Sequence, residues 1–314
     1  MVCNTSPGIG TTSRIYRKRP TEKDMGFLKK IINWLLNAIL VVSIVVSIWI
    51  FSQVFLRASF RIPSDSMEPE LVEGDFVAVW KPTLGARLFD LNATLRLEQT
   101  EIHRTPGFRK AKRGDVLVFN FPHPNGWDKI EMHILKYYIK RCIGLPGDTL
   151  SIRDGRFRIN GVGEPLGNLD SQERIGQTPP EGFADGIYKA FPFDSVIGWN
   201  IRDFGPLYIP KAGDRIKMDR TGYALYRKLV AWEQKTEIEY KDSTVYLNGK
   251  PIREYRFQKN YYFMAGDKGE NSQDSRYWGL LPEEYIVGKA AFIWKSVDPY
   301  TGQFRWKRFM KKIE

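Results

Sequence analysis

Residues 31–56 carry no Asp, Glu, Lys or Arg, and that run limits what the rest of the chain can be. Ile, Leu, Val, Trp and Phe fill it, with scattered Asn, Ser and Gln. A helix needs about 20 apolar residues to cross a bilayer, and this run exceeds that length. A cleavable signal peptide is the competing reading. Its apolar core is only about 7–15 residues long and small residues follow it. Here Phe55-Leu-Arg-Ala-Ser-Phe-Arg61 follows, so the sequence predicts a retained transmembrane anchor over 31–56. Arg14, Arg17, Lys18, Arg19, Lys23, Lys29 and Lys30 crowd its N-terminal side, against Glu22 and Asp24, with Arg57 and Arg61 on the other side. The positive-inside rule then makes residues 1–30 a basic cytoplasmic tail, with 1–10 disordered, and puts everything after Arg57 outside. No second apolar run of that length occurs, so the remainder reads as one extracytoplasmic body.

The 314 residues allow the anchor plus one large domain or two modest ones. A net charge of +12 fits either nucleic acid or an anionic membrane surface. No zinc-finger spacing, RNP-type motif or P-loop appears, so the lipid bilayer is the expected partner and nucleic acid is not. Cys3 and Cys142 fall on opposite sides of the anchor and cannot pair, and nothing points to a metal or a cofactor. His103, His123 and His133 have no GxSxG or zinc-ligand companion and are expected to be structural or on the surface.

The body reads as mainly β. Gly74-Asp75, Gly114-Asp115, Gly147-Asp148 and Gly213-Asp214 each precede a short apolar or alternating run. Gly supplies a positive-φ turn and Asp satisfies turn N–H groups, so these are turn-then-strand units. Two hairpin-like stretches echo each other, one from Leu150 to Gly161 and one from Glu237 to Gly249. Residues 162–205 are rich in Gly, Pro, Asp and Asn and read as long loops. Thr221 to Gln234 reads as one amphipathic helix.

Three polar stretches stand out. In Arg61-Ile-Pro-Ser-Asp-Ser-Met-Glu-Pro-Glu-Leu71, Pro63 and Pro69 disfavour helix, which leaves Ser64 and Ser66 on an extended, turn-like segment. By itself this also reads as a juxtamembrane linker. In Tyr138-Ile-Lys-Arg-Cys-Ile-Gly-Leu-Pro-Gly-Asp148, period-two alternation aims Lys140 to one face and Arg141 to the other. A core-facing lysine would lose hydration, and its pKa would fall; a surface lysine beside a surface arginine is the alternative. In Met264-Ala-Gly-Asp-Lys-Gly-Glu-Asn-Ser-Gln-Asp-Ser-Arg-Tyr-Trp-Gly279, Asp274 and Arg276 are placed to pair, and Ser272 offers a hydroxyl. A solvated turn is the alternative there.

Taken together and in this order after an anchor, these stretches and Arg113-Gly-Asp-Val-Leu-Val-Phe119 resemble the bacterial type I signal peptidases, a serine–lysine dyad family. The resemblance covers roughly residues 57–148 and 260–314. It implies a mainly β fold: an all-β catalytic domain in two parts, 57–148 and 260–314, behind a single N-terminal helix. Residues 149–259 would form a large inserted β subdomain. By the same resemblance Ser66 is the nucleophile and Lys140 its general base. The Ser66 N–H and the Ser64 hydroxyl form the oxyanion hole. Ser272 helps orient the Lys140 amine, and Asp274 and Arg276 support the site. It implies an inner-membrane serine endopeptidase, without cofactor or metal, that cuts secretory preproteins after small residues of an Ala-x-Ala type. The secretion translocon is then a further expected partner.

Two positions depart from the family pattern. Asp65 stands where Gly is usual, and Lys268 where Asn is usual. The ten residues from Leu56 to Ser66 span at most about 35 Å, so the site is expected near the outer bilayer surface. Phe55, Phe60, Ile62, Phe76 and Trp80 are expected to form an apolar rim there. Another serine–lysine protease, such as a self-cleaving regulator, would need a DNA-binding domain that residues 1–30 are too short to supply. A membrane-anchored scaffold of the same fold would not need both Ser66 and Lys140.

Overall fold

The computed structural model describes residues 22–96 and 101–314. Cys3, Arg14, Arg17, Lys18 and Arg19 of the expected tail lie outside the described residues. The described chain divides into two units, one ending at Phe51 and one running from Ser52 to Glu314.

The first unit is one helix, Glu22–Phe51. With the wider turn Ser52–Leu56 that follows, it makes an apolar helical stretch from Met25 to Leu56, none of it buried. A helix exposed on all sides and apolar on all sides has no protein core to enter. Its length and composition are those of a membrane span.

The second unit is built on an eight-stranded antiparallel sheet. Its spatial order is Arg57–Arg61, Asp75–Trp80, Ile286–Ser296, Val116–Asn120, Tyr137–Gly144, Tyr261–Ala265 and Leu281–Pro282, with Lys311–Lys312 paired beside Ile286–Ser296. The two stretches expected to form one domain, 57–148 and 260–314, thus interleave in one sheet. Residues 149–259 add the antiparallel group Arg156–Ile159, Thr149–Arg153 and Phe204–Tyr208, the group Ile238–Lys241, Thr244–Leu247 and Lys250–Ile252, and the pair Arg215–Lys217 with Glu254–Arg256.

The four Gly-Asp units fold alike. Gly74, Gly114, Gly147 and Gly213 have φ of 90°, 86°, 95° and 97°. Each following Asp N–H donates to the carbonyl three residues back, and each Asp carboxylate accepts the N–H of that same residue, at 2.8–2.9 Å. A positive φ at the third turn position suits glycine, and the Asp closes the turn from both sides before the strand begins. The two hairpins form at Asp154-Gly155 and Asp242-Ser243, all four residues at positive φ. That is the turn hand that matches strand twist.

The inserted part is not all β. The expected helix forms as Arg220–Gln234, capped by the Asp219 side chain on the Gly222 N–H. A second helix, Leu169–Gln177, capped by Asn168, lies within 162–205, where the sequence reads as loops. The polar composition of that stretch hid a short helix whose Ile175 and Gln172 are buried. One hydrophobic core joins Leu150, Phe204 and Tyr226 of the insertion to Phe119, Cys142 and Phe263 of the main sheet. A smaller cluster holds Ile62, Met67 and Leu71 against Val77, Val118 and Ile293. Ile62, expected on an exposed rim, is therefore core.

Candidate active site

Three segments converge: the turns after strand Arg57–Arg61, the middle of strand Tyr137–Gly144, and the loop after strand Tyr261–Ala265. Met67 and Leu71, both fully buried, anchor the first segment and leave Ser66 between them and the strand. Alternation along Tyr137–Gly144 turns Lys140 inward, with only 4% of it exposed, while Arg141 points away to a bidentate pair with Asp267 at 2.7 and 2.6 Å. Strand pairing fixes Lys140 opposite Leu117.

The Lys140 Nζ lies 2.6 Å from the Ser66 Oγ, in a buried bond. Ser64 Oγ is 3.4 Å from Ser66 Oγ on the exposed side. Burial pushes the Lys140 amine down to about 8. Asp274 pulls against that shift, Arg276 adds to it, and Asp267 and Asp65 oppose it. A lysine near 8 is part neutral at neutral pH, as a general base must be.

Asp274 and Arg276 pair as the sequence suggests, with 0% and 2% of their side chains exposed. Arg276 Nε and Nη2 donate to the two carboxylate oxygens at 2.9 and 2.7 Å. The Gly266 N–H donates to Asp274 at 2.9 Å, and Arg276 also holds the Gly269 carbonyl at 2.8 Å. Burial alone would push the Asp274 carboxyl up, but the Arg276 charge and these bonds hold it below its ordinary value. Ser272 is buried here. Its hydroxyl makes no hydrogen bond of full geometry among the described residues, yet it lies close enough to Asp274 to favour that charge. No bond from Ser272 to Lys140 is present. A Cβ on Gly266 would come within 2.1 Å of Ser272 Oγ and 2.6 Å of the Ser66 carbonyl, so only glycine lets these two segments close.

A cavity of about 400 Å³ opens over Ser66 and Lys140. Phe60, Ile62, Val118 and Ile139 give it apolar walls, and Asp65, Asn271 and Gln273 a polar edge. His123 is buried, its Nδ1 2.6 Å from the Lys129 carbonyl, and burial pushes its imidazole down to about 4. Cys142 is a free, buried thiol. Among the described residues no cluster of side chains could hold a metal.

A family model described as signal peptidase, peptidase S26, matches residues 31–186 and 212–295. The chain belongs to this signal peptidase family. A signal peptidase I of Buchnera aphidicola subsp. Schizaphis graminum is 30% identical over 263 residues, covering 82% of this chain and 74% of that relative. One of Pseudomonas aeruginosa is 31% identical over 254 residues, covering 77% and 66%. A solved signal peptidase I from Enterococcus faecalis aligns over 57% of this chain and 96% of its own, at 20% identity and a TM-score of 0.27, an overlap too low to bear on the fold. Family membership makes the chain a serine peptidase, a hydrolase of peptide bonds.

Within that family frame the structure places several residues the sequence did not single out. Glu270 accepts from Ser171 and from Arg174 Nε at 2.8 Å, and the Gly269 N–H donates to Ser171 at 2.7 Å. The Phe191 N–H donates to the Arg276 carbonyl at 2.7 Å, and the Tyr277 hydroxyl to the Ile187 carbonyl at 3.0 Å. Residues 162–205 thus brace the loop that carries Ser272, Asp274 and Arg276. These contacts join positions about 100 apart or nearly so, and no local pattern announces them.

Proposed function

We propose that this chain is a membrane-anchored signal peptidase that works through a Ser66–Lys140 dyad. The observation that carries the reading is the 2.6 Å bond from a 4%-exposed lysine to a serine hydroxyl at a cavity floor. Neutral Lys140 takes the Ser66 proton as Ser66 Oγ attacks the scissile carbonyl. The oxyanion that forms is received by the Ser66 N–H and the Ser64 hydroxyl, preorganised donors of the kind that carry much of the rate in acyl transfer. The Lys140 ammonium then returns its proton to the leaving amine. Water, deprotonated by the same amine, hydrolyses the acyl-serine.

Ser272 keeps its role as the group that orients the Lys140 amine. Its position beside Gly266 and Asp274 supports this role once substrate closes the site, since catalytic hydrogen bonds often tighten only in the complex. The substrates are secretory preproteins, cut after small residues in an Ala-x-Ala pattern. Support comes from the family and from the apolar walls of the cavity. The helix spans the inner membrane beside the translocon, with its basic end in the cytoplasm and the catalytic unit outside; the basic cluster before the span supports that orientation.

The test is to incubate the detergent-solubilised protein with a preprotein and map the cut by mass spectrometry. Cleavage after the small residues that end the signal peptide is expected; no cleavage, or cuts elsewhere, would sink the reading. For orientation, protease added to intact spheroplasts should digest the catalytic unit, and a protected unit would reverse the assignment.

A further inference from the structure

The two residues that depart from the family pattern meet each other. Lys268 Nζ donates to the Asp65 carboxylate and, at 3.1 Å, to Glu68 Oε2. Asn271 Nδ2 donates to both Asp65 oxygens, at 2.9 and 3.0 Å. Between these grips, the Lys268 N–H donates to the Ser66 carbonyl at 3.1 Å. The residue before the nucleophile and the second residue after it are therefore both held by the loop that carries Ser272. A lone acidic residue at position 65 would put an unneutralised charge beside the dyad, and a lone lysine at 268 would keep only Glu68. We propose that Asp65 and Lys268 form a latch that ties the Ser66 turn to the 266–276 loop, acting as positioning residues that set the nucleophile against Lys140.

The proposal rests on the dyad reading above and adds a layer particular to this chain. The latch is 30–35% exposed, so its Coulomb energy is modest and its worth lies in geometry. It also bears on the base. Lys140 faces Asp65 from the Ser66 turn, Asp267, Asp274 and Arg276 from the other loop, and the Tyr138 ring from its own strand. Asp65 favours the charged form of Lys140, and Lys268 neutralises Asp65. Losing Lys268 alone leaves Asp65 held by the neutral Asn271, with its charge unneutralised and favouring the Lys140 proton. Losing Asp65 alone releases it.

The variants are Asp65→Asn, Lys268→Ala and the double, read by kcat and KM on a peptide substrate, by pH profile, and by hydrogen exchange of residues 64–68. Each single variant should lower kcat about three- to tenfold with KM little changed. The double should cost no more than the worse single, because one bridge is broken in all three. The acid limb of kcat/KM should move up by about 0.5 pH unit in Lys268→Ala and down in Asp65→Asn. Amides 64–68 should exchange faster in all three. Unchanged exchange, or single-variant losses that simply multiply in the double with unshifted pH limbs, would overturn the latch. Loss of cleavage by the unaltered protein would instead strike the dyad reading, and exchange would still judge the latch.

Discussion

Lys140→Met should abolish cleavage and at the same time stabilise the protein at neutral pH. The buried amine falls from an ordinary 10.5 to about 8. A lysine whose folded pKa is depressed carries a penalty below the folded value, where it must be charged inside the protein. That penalty is relieved as pH rises from about 8 to 10.5, because over that window the unfolded chain binds more protons than the folded one. The difference of about 2.5 pH units corresponds to about 3 kcal/mol at pH 7. Against it stands the lost bond to Ser66, worth about 1 kcal/mol. A net gain of about 2 kcal/mol translates to roughly 4 °C in Tm for a unit of this size. The assay is thermal unfolding in detergent, followed by tryptophan fluorescence, of both proteins from pH 7 to 11. The advantage of the Met variant should shrink with rising pH and reverse to a small deficit near pH 11. A Met variant less stable at pH 7, or a difference that does not change with pH, would refute the claim that Lys140 is held desolvated.

Two other perturbations follow from the geometry. Asp274→Asn leaves Arg276 buried without its counter-ion, and loss of one partner of such a pair costs about 3–5 kcal/mol; a Tm within a degree or two of the unaltered protein would contradict the buried pair. Replacing residues 162–205 by a short linker should cut peptide cleavage at least tenfold, because Ser171, Ile187 and Phe191 brace the 269–277 loop; full activity in a folded variant would show that the loop holds itself.

How much was legible beforehand depended on how local the signal was. The apolar helix, the four Gly-Asp turns, the two hairpins and the Arg220–Gln234 helix all rest on short-range rules, and each formed at the residues that pointed to it, the apolar helix starting earlier than expected, at Glu22. Alternation along one strand separated Lys140 from Arg141 but did not say which of them turns inward; only the family resemblance gave Lys140 the role of an inward base. Polar stretches misled. The Leu169–Gln177 helix was hidden by its polar composition, and Ile62 looked like rim because only its neighbours' burial makes it core. The Asp65–Lys268 pair was visible only as two separate oddities, since nothing in the chain order brings positions 203 apart together. The brace from Ser171 to Glu270 had no sequence signature at all.

The most direct test of the dyad is the base itself. Cleavage of a peptide substrate, measured as kcat/KM from pH 6 to 10, should rise through about 8, where Lys140 loses its proton, and stay high in mild alkali. Lys140→Arg, whose guanidinium stays protonated throughout, should lose at least about a thousandfold in single turnover at every pH. A flat pH profile together with near-normal cleavage by the arginine variant would show that Lys140 is not the base.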